Sequence, residues 1–268
     1  MRDTTTIFET FYVDVTQANC EQRLADAPEK DGLVTFDNIG SQEDLMNLAR
    51  KLGTIVRHRD ADAEGLTRIA QRDEMAQKAG YTAFSSGPLP LHTDRSGEAE
   101  PPTLVILLCS QPASEGGISL FADGKQIYHI LAEQFPYLLE KFATPSSAIF
   151  GGTNILLPGS VFSTLDNGTI CLRFRYDSLG YYSAPVAAVL PTFLEILHLH
   201  SISFPLGKSQ GYIIQNGRWL HGRTAFQGKR EMYRVLVKTN DETPLGKRIH
   251  LGFIPLRRDA EPSIFESR

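Results

Sequence analysis

The chain has 268 residues, with 31 Asp plus Glu against 27 Lys plus Arg, for a formal net charge of -4. That balance argues against tight coating of nucleic acid and against polybasic attachment to a membrane, while the length suffices for one substantial core or two small ones. Three cysteines, Cys20, Cys109 and Cys171, cannot all pair within one chain and follow no zinc-ligand spacing, so a disulfide scaffold is disfavoured and a reducing compartment is expected.

Met1–Glu9 lacks a basic segment leading into an apolar run, so no secretory leader is expected. Phe11–Gln17 alternates in part and predicts an early strand, followed by another over Gly32–Asp37. Ser41, then Glu43, Asp44 and the apolar Leu45, Met46, Leu48 and Ala49, predict a capped helix ending near Gly53. A second helix is predicted over Glu64–Lys78. The Gly-, Ser- and Pro-bearing stretch from Gly80 to Pro90 then reads as a loop that delivers His92.

Thr103–Ser110 is a strong strand signal, turned back through Gln111–Gly117 into Ile118–Phe121. Ala122–Phe142 carries apolar residues at helical spacing, divided into two helices by Pro136. Alternation over Ile170–Tyr176 predicts a strand with Arg173 and Arg175 on one side. On a helix over Val189–His200, His198 and His200 would lie roughly 200° apart, poorly placed to share a metal. Tyr212–Asn216 and Met232–Lys238 read as strands, with Gly217–Glu231 connecting them.

The apolar runs Leu104–Cys109 and Ala184–Pro191 are much shorter than the roughly 20 residues of a membrane helix. With no phosphate loop, repeat or flexible linker, and with many β segments around an inserted helical region, the expectation is a mixed α+β, mainly β fold. Its form is a distorted double-stranded β-helix, or jelly roll, with flanking helices and an inserted region, as a single domain over residues 1–268. Cys109 and Cys171 sit in apolar surroundings and read as core thiols rather than nucleophiles.

His92 and Asp94 flank Thr93 in an extended segment, where alternation sends both side chains to one side. A remote His221 would complete a set of two histidines and one carboxylate, which occupies one face of a non-haem Fe(II) and leaves the other open. Alone, an HxD pair is common on protein surfaces, and a lone histidine is more often hydrogen-bonded than metal-bound. Arg230 and Arg234, four residues apart, point the same way on a strand, and their planar forks suit carboxylates.

Leu91-His92-Thr93-Asp94, Gly116-Gly117-Ile118-Ser119-Leu120-Phe121 and the segment Asn216–Arg234 together resemble the clavaminate synthase-like and taurine dioxygenase-like superfamily of Fe(II)/2-oxoglutarate-dependent oxygenases. The resemblance runs from about Leu52 to Val237. It implies His92, Asp94 and His221 as iron ligands, and the retained Asp94 argues for oxygenation over halogenation. It further implies Ser119 and Arg230 as contacts to the remote carboxylate of 2-oxoglutarate, and Arg234 as closer to an anionic substrate group or the cofactor pocket, the two arginine roles being exchangeable. Fe(II) and 2-oxoglutarate are the implied cofactors, with molecular oxygen as co-substrate.

Arg173, Arg175, Tyr176 and Phe84 are candidate substrate contacts, with Leu89, Tyr181 and Tyr182 as further lining, whereas Phe121 and Trp219 read as packing supports. The expected activity is hydroxylation of a small polar or carboxylated metabolite, amino-acid-derived or carrier-tethered, with release of succinate and carbon dioxide. Desaturation, oxidative cyclisation and epimerisation use the same cofactors. A non-catalytic jelly-roll module that binds a metal or small molecule is the alternative outside enzymology. Neither nucleic acid nor membrane is expected as a partner, oligomeric state is open, and the expected location is cytoplasmic.

Overall fold

Leu104–Gln111, LVILLCSQ, is apolar almost throughout because both of its faces are covered. It lies inside a six-stranded antiparallel sheet in the order Leu33–Phe36, Gly211–Gln215, Leu104–Gln111, Glu231–Lys238, Thr54–Ile55, with Thr67–Ala70 also paired to Glu231–Lys238. The computed structural model describes residues 4–17, 26, 31–72, 74, 78–152, 156–240, 246 and 248–255.

Strand alternation sorts this sheet into two faces. Leu104, Ile106, Leu108, Ile213, Val235 and Val237 pack outward against the helix Gln42–Leu52 through its Leu45, Leu48, Ala49 and Leu52. That helix begins where Ser41 accepts a hydrogen bond from the Asp44 N–H (3.1 Å), and it carries Glu43 and Asp44 in its first turn and Arg50 and Lys51 in its last. Val105, Leu107, Ile214, Met232 and Leu236 face inward, toward a second sheet.

The second sheet is four-stranded, in the order Ile202–Phe204, Ser119–Asp123, Trp219–Arg223, Leu89–His92. Its outer face, Ala122 and Leu220, is roofed by the helices Gly124–Gln134, Pro136–Ala143 and Leu190–Leu199, whose Ile127, Leu131, Leu138, Phe142, Phe193 and Leu197 are buried. Pro136 stands at the start of the second of these, where its missing N–H is harmless. Between the sheets, Phe121 stacks on Phe204 (4.8 Å between centroids, 19°) and meets Tyr212 of the larger sheet edge-on (4.8 Å, 87°). The two layers form the expected mixed α+β distorted jelly roll with flanking helices. Three smaller antiparallel sheets complete the described strands.

Four expectations are corrected. Phe11–Gln17 is not a strand; Tyr12 makes an isolated bridge to Thr35 after the helix Thr4–Thr10. Within the segment expected to be helical from Glu64, Thr67–Ala70 is a strand, because sheet pairing with Glu231–Arg234 overrides local propensity. The strand beginning at Ile170 ends at Leu172. The stretch from Gly217 to Glu231 is not a plain connection, since it contains the strand Trp219–Arg223, which carries His221.

Cys109 and Cys171 are buried free thiols, each pushed up to about 11 by burial, in keeping with core packing. Cys20 lies outside the described residues. No helix among the described residues is long and apolar enough to cross a membrane.

Candidate metal centre

His92 and His221 are brought together by strand register. His92 ends Leu89–His92, which pairs with Trp219–Arg223 so that His221 stands opposite it, with ring centroids 4.4 Å apart. Asp94 follows on the exit from the strand. The backbone there is gripped by Asn216, whose Oδ1 accepts from the Asp94 N–H (2.8 Å) and whose Nδ2 donates to the carbonyls of Asp94 (2.9 Å) and Pro102 (3.0 Å). One potential ligand atom from each of His92, Asp94 and His221 lies within 4.8 Å of the others, as a shared metal requires.

The protonation states suit a metal. His92 Nδ1 lies 3.0 Å from the Pro90 carbonyl, a contact that fixes Nδ1 as the N–H and leaves Nε2 with its lone pair free to ligate. Burial is the largest influence on both histidines and holds each in its neutral, ligating form; it lowers His221 to about 3, with His92 adding to the effect. Burial alone would raise the Asp94 carboxyl, but Arg234 and then His221 and His92 outweigh it and keep Asp94 ionised well below the usual carboxylate range. Arg234 Nη1 donates to both Asp94 oxygens, at 2.9 and 3.2 Å. His221 Nε2 is 3.9 Å from Asp94 Oδ2, and its Nδ1 is buried without a hydrogen-bond partner among the described residues. Two neutral imidazoles and one carboxylate, all converging, form the facial donor set suited to Fe(II).

Two cavities flank this cluster. The inner one, about 40 Å³, lies between the sheets and is lined by Ser119, Tyr212, His221, Arg223, Arg230 and Arg234 among others. The outer one, about 120 Å³, reaches His92, Asp94 and Arg234 from the side of Phe84, Arg175 and Tyr176. His92, Leu89 and Arg234 border both.

Ser119 and Arg230 therefore share the inner cavity, both buried. The glycines of Gly116-Gly117 take positive φ (71° and 65°), and a Cβ on Gly117 would come within 3.0 Å of Arg230 Nε, so this motif both turns the chain and clears space for the guanidinium. Arg234 sits between the cavities. Phe84 and Tyr176 wall the outer one, where Arg175 is held by a bidentate pair with Asp177 (2.7 and 2.5 Å) and a bond to the Gly151 carbonyl (3.0 Å). Arg173 lines neither cavity: its guanidinium donates to the carbonyls of Ser96, Glu98 and Ala99, fastening the loop that follows Asp94, so it is removed from the substrate candidates. Tyr181 is exposed, and Tyr182 donates to the Arg175 carbonyl (2.7 Å). Trp219 is a support, its indole N–H donating to the Asp31 carbonyl (2.8 Å).

Several residues escaped the sequence reading. His58, Arg95, Glu98 and Asp177 line the outer cavity, with Arg95 paired to Glu98 and His58 lowered to about 4 by burial and then by Arg234. Arg223, on the same strand as His221, donates to the carbonyls of Ser85 and Gly87 and so anchors the loop carrying Phe84. A single polar side chain that grips backbone carbonyls leaves no mark in composition or periodicity. Asp177, two residues beyond Arg175, was the nearest to a legible signal.

A jelly roll with two histidines and a carboxylate converging on its inner face defines the non-haem iron oxygenase class. The chain belongs to the family described as "Taurine catabolism dioxygenase TauD, TfdA family", whose profile matches residues 8–153. It is 25% identical over 177 residues to γ-butyrobetaine dioxygenase of Homo sapiens, a match covering 59% of this chain and 45% of the relative, so it spans under half the length of that curated protein. Among solved structures, an asparagine oxygenase in complex with Fe(II), 2S,3S-3-hydroxyasparagine and succinate is similar with TM-score 0.68 and 16% identity, covering 83% of this chain and 80% of that one. A taurine dioxygenase from Burkholderia xenovorans gives TM-score 0.64, 16% identity and 85% coverage of each chain. The non-haem iron oxygenase OrfP with Fe and α-ketoglutaric acid gives 0.62, 12%, and 88% and 86% coverage. At these identities the structural likeness is one of fold.

Proposed function

We propose that the chain is an Fe(II)/2-oxoglutarate-dependent dioxygenase that hydroxylates a small amino-acid-like zwitterion. The carrying observation is the placement of one three-residue donor set between two cavities of different chemistry. His92, Asp94 and His221 would hold Fe(II). Arg230 and Ser119 would hold the far carboxylate of 2-oxoglutarate in the inner cavity, where the Arg230 guanidinium has no ion pair or hydrogen bond among the described residues. When bound, Fe(II) would activate molecular oxygen, the oxidant, with one oxygen atom passing to succinate as 2-oxoglutarate loses carbon dioxide and the other to the substrate.

The outer cavity fits a metabolite: at about 120 Å³ it falls below the roughly 300–1,000 Å³ of sites for drug-sized ligands. Its walls carry both signs of charge, Arg95 and Arg175 beside Glu98 and Asp177, and an apolar surface from Phe84 and Leu89. Because Arg95 is paired with Glu98 and Arg175 with Asp177, the lining offers partners for both an acid and an amine while adding little net charge, which suits a zwitterion. Arg234, bound to Asp94 and open to both cavities, would fix the Asp94 carboxylate while facing the substrate's acidic end. The γ-butyrobetaine and asparagine named for the relatives, and the (3S)-hydroxy-L-Arg bound to OrfP, support both the substrate class and hydroxylation.

The test is a panel of small zwitterions incubated with the chain, Fe(II), 2-oxoglutarate and oxygen, followed by succinate and product mass. The expected result is substrate-dependent succinate with a product heavier by one oxygen. A product lighter by two hydrogens would replace hydroxylation with desaturation or ring closure. Succinate formation that responds to uncharged substrates and not to zwitterions would contradict the substrate class.

A further inference from the structure

Tyr212 lies on the inner face of the larger sheet, in Gly211–Gln215, opposite Leu107, which is in turn opposite Arg234. Its ring is locked edge-on against Phe121 (4.8 Å) and next to His221 (6.3 Å), and the residue is 2% exposed. It lines the inner cavity together with Ser119 and Arg230. Among the described residues neither its hydroxyl nor that of Ser119 has a hydrogen-bond partner, and Arg230 has no anionic one. Among the described residues, two hydroxyls and a guanidinium thus line one small cavity without a protein hydrogen-bond partner, which points to a ligand that satisfies them together.

Resting on the 2-oxoglutarate reading of this cavity, we infer that Tyr212 is a third donor to the far carboxylate of the 2-oxo acid, beside Arg230 and Ser119. A carboxylate offers about four lone-pair sites, of which a guanidinium fork takes two, leaving room for two hydroxyls. Burial pushes the phenol above its ordinary range, so Tyr212 remains an O–H donor at neutral pH. Because the hydroxyl addresses the far carboxylate alone, it discriminates a 2-oxo diacid from a 2-oxo monoacid of similar length.

The experiment is anaerobic titration of the Fe(II)-loaded Tyr212→Phe protein with 2-oxoglutarate and, separately, with 2-oxobutyrate, which lacks the far carboxylate. Arg230→Met is measured in parallel, with circular dichroism and iron content as checks on folding and loading. Tyr212→Phe should raise the 2-oxoglutarate Kd about tenfold or more, the loss of a hydrogen bond to a charged group, and leave 2-oxobutyrate binding within about twofold. An unchanged 2-oxoglutarate Kd in Tyr212→Phe while Arg230→Met loses affinity would overturn the role of Tyr212 and leave the cofactor site standing. Equal weakening for both 2-oxo acids would also overturn it, since the ring would then support the cavity as a whole. Failure of the folded, iron-loaded wild type to bind 2-oxoglutarate would instead remove the cofactor reading on which the inference rests.

Discussion

Asp94→Ala should weaken Fe(II) binding by more than about 100-fold, beyond the 10–100-fold that follows loss of a mere supporting contact to a metal ligand. It should also destabilise the protein, because Asp94 is the sole hydrogen-bond acceptor for the Arg234 guanidinium among the described residues. Arg234 is buried, and stranding a buried charge typically costs about 3–5 kcal/mol. Asp94→Asn separates the two effects: its amide oxygen still accepts from Arg234 but carries no charge for the metal. Equilibrium dialysis against Fe(II) together with thermal unfolding checks both. Wild-type iron affinity in either folded variant would remove Asp94 from the ligand set.

Arg230→Met should behave in the opposite sense on stability. Its guanidinium is buried with no ion pair among the described residues, and burial lowers its pKa, so the charge is already held at a cost. An apolar side chain of similar volume relieves that cost, and the melting temperature should stay level or rise. Affinity for 2-oxoglutarate should fall by about 10- to 100-fold, as expected for charge-assisted hydrogen bonds of roughly 1.5–3 kcal/mol, while Fe(II) affinity is retained. Gain of stability with loss of cofactor is the signature of a residue kept for binding rather than for folding. A fall in melting temperature without change in 2-oxoglutarate binding would make Arg230 a structural residue and move the anchor elsewhere.

The legible parts of the fold were those where packing follows hydrophobic period. Leu104–Gln111 and Glu231–Lys238 were found because both faces bury apolar side chains, and Gln42–Leu52 because a cap, a stripe and a stop coincide. Trp219–Arg223 was missed for the opposite reason. All five of its residues are buried, but the inward positions include His221 and Arg223, which border the inner cavity and erase the apolar signal. Strands that build the site are the ones hydrophobicity conceals.

The same asymmetry runs through the charged residues. His92, Asp94 and His221 were readable through their motif, and the structure adds the register that places two histidines side by side. Arg173 and Arg175 looked equivalent on an alternating segment, yet the strand stops at Leu172 and the two side chains part: one fastens the loop after Asp94, the other borders the outer cavity. Asn216 and Tyr212 owe their positions to pairings over 100 residues away, at Asp94 and Leu107, and no local pattern announces them.

The most direct test of the central claim is anaerobic ultraviolet-visible titration of the purified chain with Fe(II) and 2-oxoglutarate. A saturable metal-to-ligand charge-transfer band, with a single iron per chain and absent from Asp94→Asn, is the predicted result. No band from folded protein that demonstrably binds iron would contradict a 2-oxoglutarate site at His92, Asp94 and His221.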